Sequence, residues 1–438
     1  MPVFLVTSGI ILLLLLIIVF RINAFISFIV ISILAGIAAG MPVKAVIGSL
    51  EKGLGDTLGS LVMILIFGAM LGKIVAESGA AQRITSGLTN LFGIKRIQLA
   101  LIITGFIVGI PLFYSVGFVV LVPIVFTIAA STRLPLLFVG LPMLASLSVT
   151  HGLLPPHPSP TAIAAMFGAD IGKTILYGIL ISIPVIFVAG FLFSKSVKKF
   201  KASPISDFVN NGIIKDEDMP GIGSSILIAL LPVILIGITT ISGMIFDETN
   251  KIRIILEFTG DPVIAMLISL GAAVYFLGVV KGKKVAGIMD SITKAAGSII
   301  MVLLIIAGAG GFKQVLVDSG LSDSIAKLLS QSTLSPLILA WMIAALIRIC
   351  VGSATVAGMT SAGIILPMVT GGLVNKELMV LAIGAGSLVL SHVNDGGFWL
   401  FKEYFNLSVK DTLLTWTVME TIISITGLGG VLILNIFV

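Results

Sequence analysis

Apolar runs such as Phe25 to Gly40, Ile179 to Phe193, Ile226 to Phe246 and Met301 to Ala309 sit within or fill stretches of about 20 residues, the length of helix that spans a ~30 Å hydrocarbon core. In lipid every backbone N–H and C=O has to be paired inside the protein, so such a chain folds into helices that cross the bilayer. Of the 438 residues, 58% are apolar and 11% charged, against about 25% charged in soluble domains. The earliest run, Ile10 to Phe20, lacks a basic leader and a small-residue cleavage site and continues into another span, so it reads as the first membrane helix. The single cysteine, Cys350, rules out an intramolecular disulfide or a Cys-rich metal cluster. The net charge of +6 is scattered through short loops, the pattern of a positive-inside bias and not of a nucleic-acid surface.

The chain also repeats itself. Leu71-Gly-Lys-Ile-Val-Ala-Glu77-Ser78-Gly79 is echoed by Phe312-Lys-Gln-Val-Leu-Val-Asp318-Ser319-Gly320, and the stretch from Met166 to Thr174 by that from Tyr404 to Thr412. Hydropathy places spans near 3–20, 24–40, 57–76, 134–150 and 172–195, then near 223–246, 261–280, 297–315, 376–392 and 411–437. Two further apolar stretches, 97–131 and 336–370, are interrupted by Gly109 to Gly117 and by Gly352 to Gly358, which predicts hairpins that enter and return. Five crossings per half is an odd number, so the second half is inverted relative to the first. The expected fold is an all-α polytopic membrane protein of two inverted repeats, 1–195 and 223–438, joined by a cytoplasmic linker at 196–222. Each repeat has a hairpin (97–131, 336–370) and a broken helix (134–168, 376–405). The basic clusters Lys195, Lys198, Lys199, Lys201 and Lys281, Lys283, Lys284 put the linker side in the cytoplasm and both termini outside.

Matched breaks in two halves point to a transporter's binding site. The first runs from Thr150 to Thr161 and contains Pro155, Pro156, Pro158 and Pro160, which prevent continuous helix. A new half-helix is expected at Thr161, its free amides facing an anion. The second, Ser391 to Trp399, has glycines to bend at and Asn394 and Asp395 to cap the helix that follows. All three histidines, His151, His157 and His392, fall in these breaks. An imidazole there can bond a ligand hydroxyl or carry a proton; equally, a buried histidine can serve only as a hydrogen-bonding partner. Three histidines with Asp395 also raise a metal site, against which stand the unfamiliar spacing and the lack of an HExxH pattern. Arg348, in the leg leading to the second hairpin tip, needs a partner at membrane depth: a substrate carboxylate, Glu420 or Asp395. Tyr114, Ser115, Ser159, Ser353 and Thr355 supply neutral donors for a hydroxylated ligand, though small residues at tips also serve packing alone. Glu77 and Asp318, mates in the repeat, read as helix-end anchors.

The motifs from Ser148 to Thr161, Gly311 to Gly320, Gly352 to Ala357 and Ser391 to Trp399 resemble those of the bacterial gluconate permeases, the gluconate:proton symporter family, over essentially the whole chain. The resemblance implies an elevator-like carrier in the bacterial inner membrane, a homodimer without cofactor, that takes up a sugar acid anion with protons. Where many relatives have an acidic residue this chain has Ser115, which leaves Asp395, His157, His151 and His392 as the candidates for the coupled proton. A co-ion makes energetic sense: bringing one negative charge into a cell at about −150 mV costs roughly 3.5 kcal/mol, and a proton cancels it. The rival readings are a sodium-coupled carrier of another small organic mono- or dicarboxylate and, from a different class, an intramembrane metal-dependent hydrolase.

Overall fold

The computed structural model describes residues 8–438 apart from 14, 111–113, 156, 206–213, 215, 248, 321–334 and 371–373. The described chain is helical throughout, with eight helices long and apolar enough to cross a membrane among the described residues. Fewer than the ten expected spans reach that length. Ser8–Ile17 and α1 (Ala24–Ala38) are apolar but short: Asn23 caps α1 by accepting from the amides of Phe25 and Ile26, and Gly40, at a φ of 85°, ends it. Its 15 residues extend only about 22 Å at 1.5 Å per residue.

Conversely, α2 (Val43–Glu77) is 35 residues long and begins well before the expected position 57. Lys44, Glu51, Lys52 and Asp56 lower the hydropathy of its first turns without interrupting the helix. A short helix, α3 (Ala80–Phe92), leads to α4 (Ile97–Gly109) and α5 (Tyr114–Thr132). The first expected hairpin tip lies partly outside the described residues. Next come α6 (Leu136–Leu153), α7 (Pro158–Phe167) and α8 (Ile171–Ile186), the last prolonged by a π-helical turn, Phe187–Leu192.

After the linker come α9 (Ile222–Ile245), α10 (Lys251–Thr259) and α11 (Pro262–Ala273), the last two capped by Asn250 and Asp261. Then α12 (Val285–Ser298) and α13 (Ile300–Asp318) form one long element with a kink at Ile299. The second expected hairpin is α14 (Pro336–Val351) and α15 (Ala354–Thr370), joined through Gly352 and Ser353. The chain ends in α16 (Lys376–Gly386), α17 (Gly396–Tyr404) and α18 (Val418–Leu434).

Packing runs across the two halves. One close crossing is between α2 and α13, where glycines let the backbones meet: a Cβ on Gly53 would come within 2.8 Å of Gly311 Cα and overlap the Gly310 carbonyl. Small residues at such crossings are how membrane helices gain close van der Waals contact without a hydrophobic drive. Glu77 and Asp318 take the anchoring role expected of them. Asp318 accepts from Ser49 Oγ of α2 at 2.6 Å, and Glu77 accepts from Ser291 Oγ of α12 at 2.9 Å, each tying its helix end to the opposite half. Elsewhere α4 packs on α6, α14 on α16, and α7 on α15. Phe118 and Phe126 of α5 meet the ring of Phe405, just past α17.

Replacing Gly53 by Val is expected to destabilise the protein by about 1–3 kcal/mol through overpacking, whereas Gly55→Ala, where a Cβ would meet open space, costs little. Thermal unfolding in detergent compares the two.

Candidate functional site

Each break arises from a distinct local chemistry. Leu154 leaves α6 in extended conformation, and α7 starts at Pro158 with His157 as its N-cap, not at Thr161 as expected. Proline fits the first turn because no intrahelical acceptor is needed there, but Pro158 and Pro160 also remove two of the amides an anion would use. The amide of Thr161 is spent on His157 O at 3.0 Å, which leaves the Ser159 amide as the one first-turn donor. This terminus is therefore a poor anion site. In the second break, residues 387–395 are unwound between α16 and α17; Leu390 sits at a φ of 44°, a left-handed conformation unusual for leucine. Asp395 caps α17 by accepting from Gly397 N at 3.1 Å.

The hairpin tip and the second break lock together. Gly352, at a φ of 73°, turns the chain out of α14, and a Cβ there would overlap the Asn394 carbonyl. Only glycine meets both demands. Asn394 Nδ2 donates to Ile349 O at 2.7 Å and to Cys350 O at 3.2 Å, and His392 Nε2 lies 3.0 Å from Ile349 O. These are carbonyls of the last turn of α14, which have no intrahelical partner. The first half repeats the device: His157 Nε2 lies 2.7 Å from Gly109 O at the end of α4. Its Nδ1 stands 3.4 Å from His151 Nδ1. With Nε2 of His157 donating to the carbonyl, its Nδ1 is the acceptor and His151 Nδ1–H the donor, an arrangement two neutral rings can make.

Between these elements lies a cavity of about 350 Å³, within the ~300–1,000 Å³ common for small-molecule sites. Of the residues singled out from the sequence, Tyr114, Ser115, His151, Arg348, Ser353, Thr355, Asn394 and Asp395 line it. His157, Ser159, Thr161 and His392 do not. His157 and His392 cap helix ends instead, and Ser159 lies beside Gly358 of α15. Among the described residues no group of three or more His, Cys, Asp or Glu is placed to hold a metal ion.

Arg348 finds its protein partner in Asp395: Nη2 donates to Oδ2 at 2.5 Å, with the arginine side chain only 4% exposed. The same Oδ2 accepts a very short bond from Ser391 Oγ, which in turn accepts from Trp416 Nε1 at 2.8 Å. The other guanidinium nitrogens, Nε and Nη1, are buried without a partner among the described residues, as are Tyr114 OH, Asn394 Oδ1 and Glu420 Oε1, all of residues that line the cavity.

Among the lining residues that the site reading missed, three matter to its chemistry. Lys313 of α13 faces the cavity half-buried, with no hydrogen-bond or ion-pair partner among the described residues. Glu420 of α18, considered only as a partner for Arg348, accepts from Ser148 Oγ at 2.9 Å and lines the cavity with it. The signal for Lys313 and Glu420 was an ionisable residue within an apolar helix, which is costly enough to mark function by default. Ser148 carried no such signal.

A polytopic helical protein with a charged, hydroxyl-lined cavity at two helix breaks has the form of a membrane carrier. The chain belongs to the GntP family permeases, whose family model matches residues 1–437. It is 51% identical over 435 residues, 99% of each chain, to the Gnt-II system L-idonate transporter of Escherichia coli. It is 48% identical to a high-affinity gluconate transporter of the same organism and 47% identical to the gluconate permease of Bacillus subtilis, both over the full length of each chain. The protein is thus a permease and not an enzyme, and the hydrolase reading falls.

Removing either member of the Arg348–Asp395 pair leaves a buried charge uncompensated, so Arg348→Gln and Asp395→Asn are each expected to destabilise by roughly 3–5 kcal/mol, and the double variant by clearly less than their sum. A double-mutant cycle on unfolding free energy checks this. His157→Leu, which orphans the Gly109 carbonyl outside the cavity, should cost about 1–3 kcal/mol of stability; His392→Leu, whose Ile349 carbonyl keeps Asn394 as a donor, should cost less, and both should leave ligand affinity within a few-fold of the parent, read by unfolding and by equilibrium binding on the same samples.

Proposed function

We propose that the protein imports gluconate or a closely related sugar acid such as idonate, in symport with protons. The observation that carries the reading is Arg348: held in place by Asp395 through Nη2, it keeps Nε and Nη1 buried beside the cavity with no partner among the described residues, charged donors that a substrate carboxylate can engage. Lys313 adds a second positive charge. Ser115, Ser353, Thr355, Tyr114, His151 and Asn394 offer donors and acceptors for a chain of hydroxyls. The relatives named for gluconate and L-idonate transport support the same substrate class.

The proposed architecture is two inverted repeats working as an elevator within a homodimer, with both termini outside. Several features support the repeats: the reciprocal Ser49–Asp318 and Ser291–Glu77 bonds, a histidine capping the first leg of each expected hairpin, and matching contacts of α4 with α6 and α14 with α16. The hairpin reading is supported by length. At 1.5 Å per residue the entering legs α4, with 13 residues, and α14, with 16, reach about 20 Å and about 24 Å, short of a ~30 Å core, whereas the returning leg α5, with 19 residues, is long enough to cross.

The test is uptake of labelled gluconate into proteoliposomes under an imposed inward proton gradient or sodium gradient at matched potential. Accumulation with protons alone is expected, with idonate competing. Accumulation that requires sodium would transfer the coupling to that ion, and lack of any gluconate or idonate transport would overturn the substrate assignment.

A further inference from the structure

The cavity holds four charged side chains, two cationic and two acidic: Lys313 and Arg348 against Asp395 and Glu420. The two carboxylates are built differently. Asp395 is fixed by an ion pair to Arg348, a bond from Ser391 and the amide of Gly397, a set of partners suited to a permanent negative charge. Glu420, 1% exposed, has Ser148 as its hydrogen-bond partner on Oε2, no partner on Oε1, and no ion pair among the described residues. A carboxyl so placed is the one in the cavity whose charge is not committed to a neighbour.

We infer that Glu420 is the group that takes up the coupled proton, and that it does so to compensate the charge of the bound sugar acid. The inference rests on the symport reading above. With both carboxylates ionised, the two cations balance them and the ligand-free cavity is neutral. Admitting one carboxylate anion leaves an excess negative charge among side chains that are largely buried, which is disfavoured. One proton on Glu420 Oε1 restores neutrality, and its release with the substrate restores it again. No bond to the substrate is made or broken; only the proton moves, from one aqueous face to the carboxylate and on to the other.

The groups around Glu420 permit this. Arg348 from α14 and Asp395 from the second break are its charged neighbours, Tyr114 from α5 and His151 from α6 line the same cavity, and α16 and α8, which also pack on α18, contribute no titratable residue to the lining. Lys313 has Asp56 of α2 nearby, but that aspartate is exposed and lies outside the lining.

Coupling of this kind is reciprocal: if substrate raises proton affinity, protonation raises substrate affinity equally. The experiment measures protons taken up per gluconate bound by the purified full-length protein in weakly buffered detergent, alongside gluconate affinity across neutral pH. Above the pH at which Glu420 titrates in the ligand-free protein, the parent is expected to take up about one proton per gluconate, and over that range to lose affinity up to about tenfold for each pH unit. Glu420→Gln, which mimics the protonated carboxyl, should take up none and bind with a flat pH profile. Glu420→Asp should recover the proton and the pH dependence, and serves in its place should the glutamine variant fold poorly. Undiminished proton uptake in Glu420→Gln, or its absence from both the parent and Glu420→Asp while gluconate still binds, would overturn the inference. Failure of the parent to bind gluconate at all would instead strike the proposed function.

Discussion

A helix that ends inside a folded membrane protein has no water to satisfy its last carbonyls and first amides, so its partners have to be other protein groups. That constraint organises the centre of this molecule. The end of α14 is closed by Asn394 and His392 reaching across from the second break, the end of α4 by His157 reaching from the first, and the start of α17 by Asp395. Because each capping residue belongs to one element and each capped helix to another, the hairpin tips and broken helices are fastened to each other. The cavity is the space left between elements so fastened.

The same logic explains why the charged pair sits where it does. Asp395 caps α17 with one carboxylate oxygen and holds Arg348 with the other, so one residue terminates a helix and neutralises a buried cation. Arg348 itself lies one turn before Gly352, whose left-handed turn brings the tip against Asn394. Substituting any member would disturb backbone closure and charge balance together. By contrast, the polar atoms left unpaired in the protein around the cavity belong to Arg348, Tyr114, Asn394 and Glu420. The groups turned to the cavity keep bonding capacity in reserve, which is what a site that must bind and release demands.

Much of this was legible in the sequence because helix breaks in lipid need conspicuous residues. Four prolines in one break and paired glycines behind Asn394 and Asp395 in the other could not be hidden by tertiary context, nor could an arginine within an apolar stretch. What escaped was the division of labour among the histidines. Whether His157 meets a ligand or the carbonyl of Gly109 depends on how α4 is placed against the break, a relation between segments distant in the chain that no local pattern encodes. Lys313 escaped for the opposite reason: the apolar residues around it made its helix read as a plain span. The true start of α2 escaped because its first turns carry four charged residues, which a hydropathy window reads as loop although nothing in them breaks a helix.

The division between fixed and free groups also bears on why Ser115 is tolerable in this chain. A neutral residue at that position gives the cavity one ionisable group fewer than the resemblance to the gluconate permeases implies. If coupling required a carboxylate at that one place, the chain could not bind a proton with its substrate. The requirement set by electrostatics is weaker: the loaded cavity has to be close to neutral, wherever in it the proton resides. Lys313, Arg348 and Asp395 sum to one positive charge, enough to balance one bound carboxylate, provided the remaining acid is protonated when the substrate is present. Glu420, bonded to a single serine hydroxyl, is free to meet that condition, whereas Asp395 could accept a proton only at the expense of its pair with Arg348 or of its cap on α17.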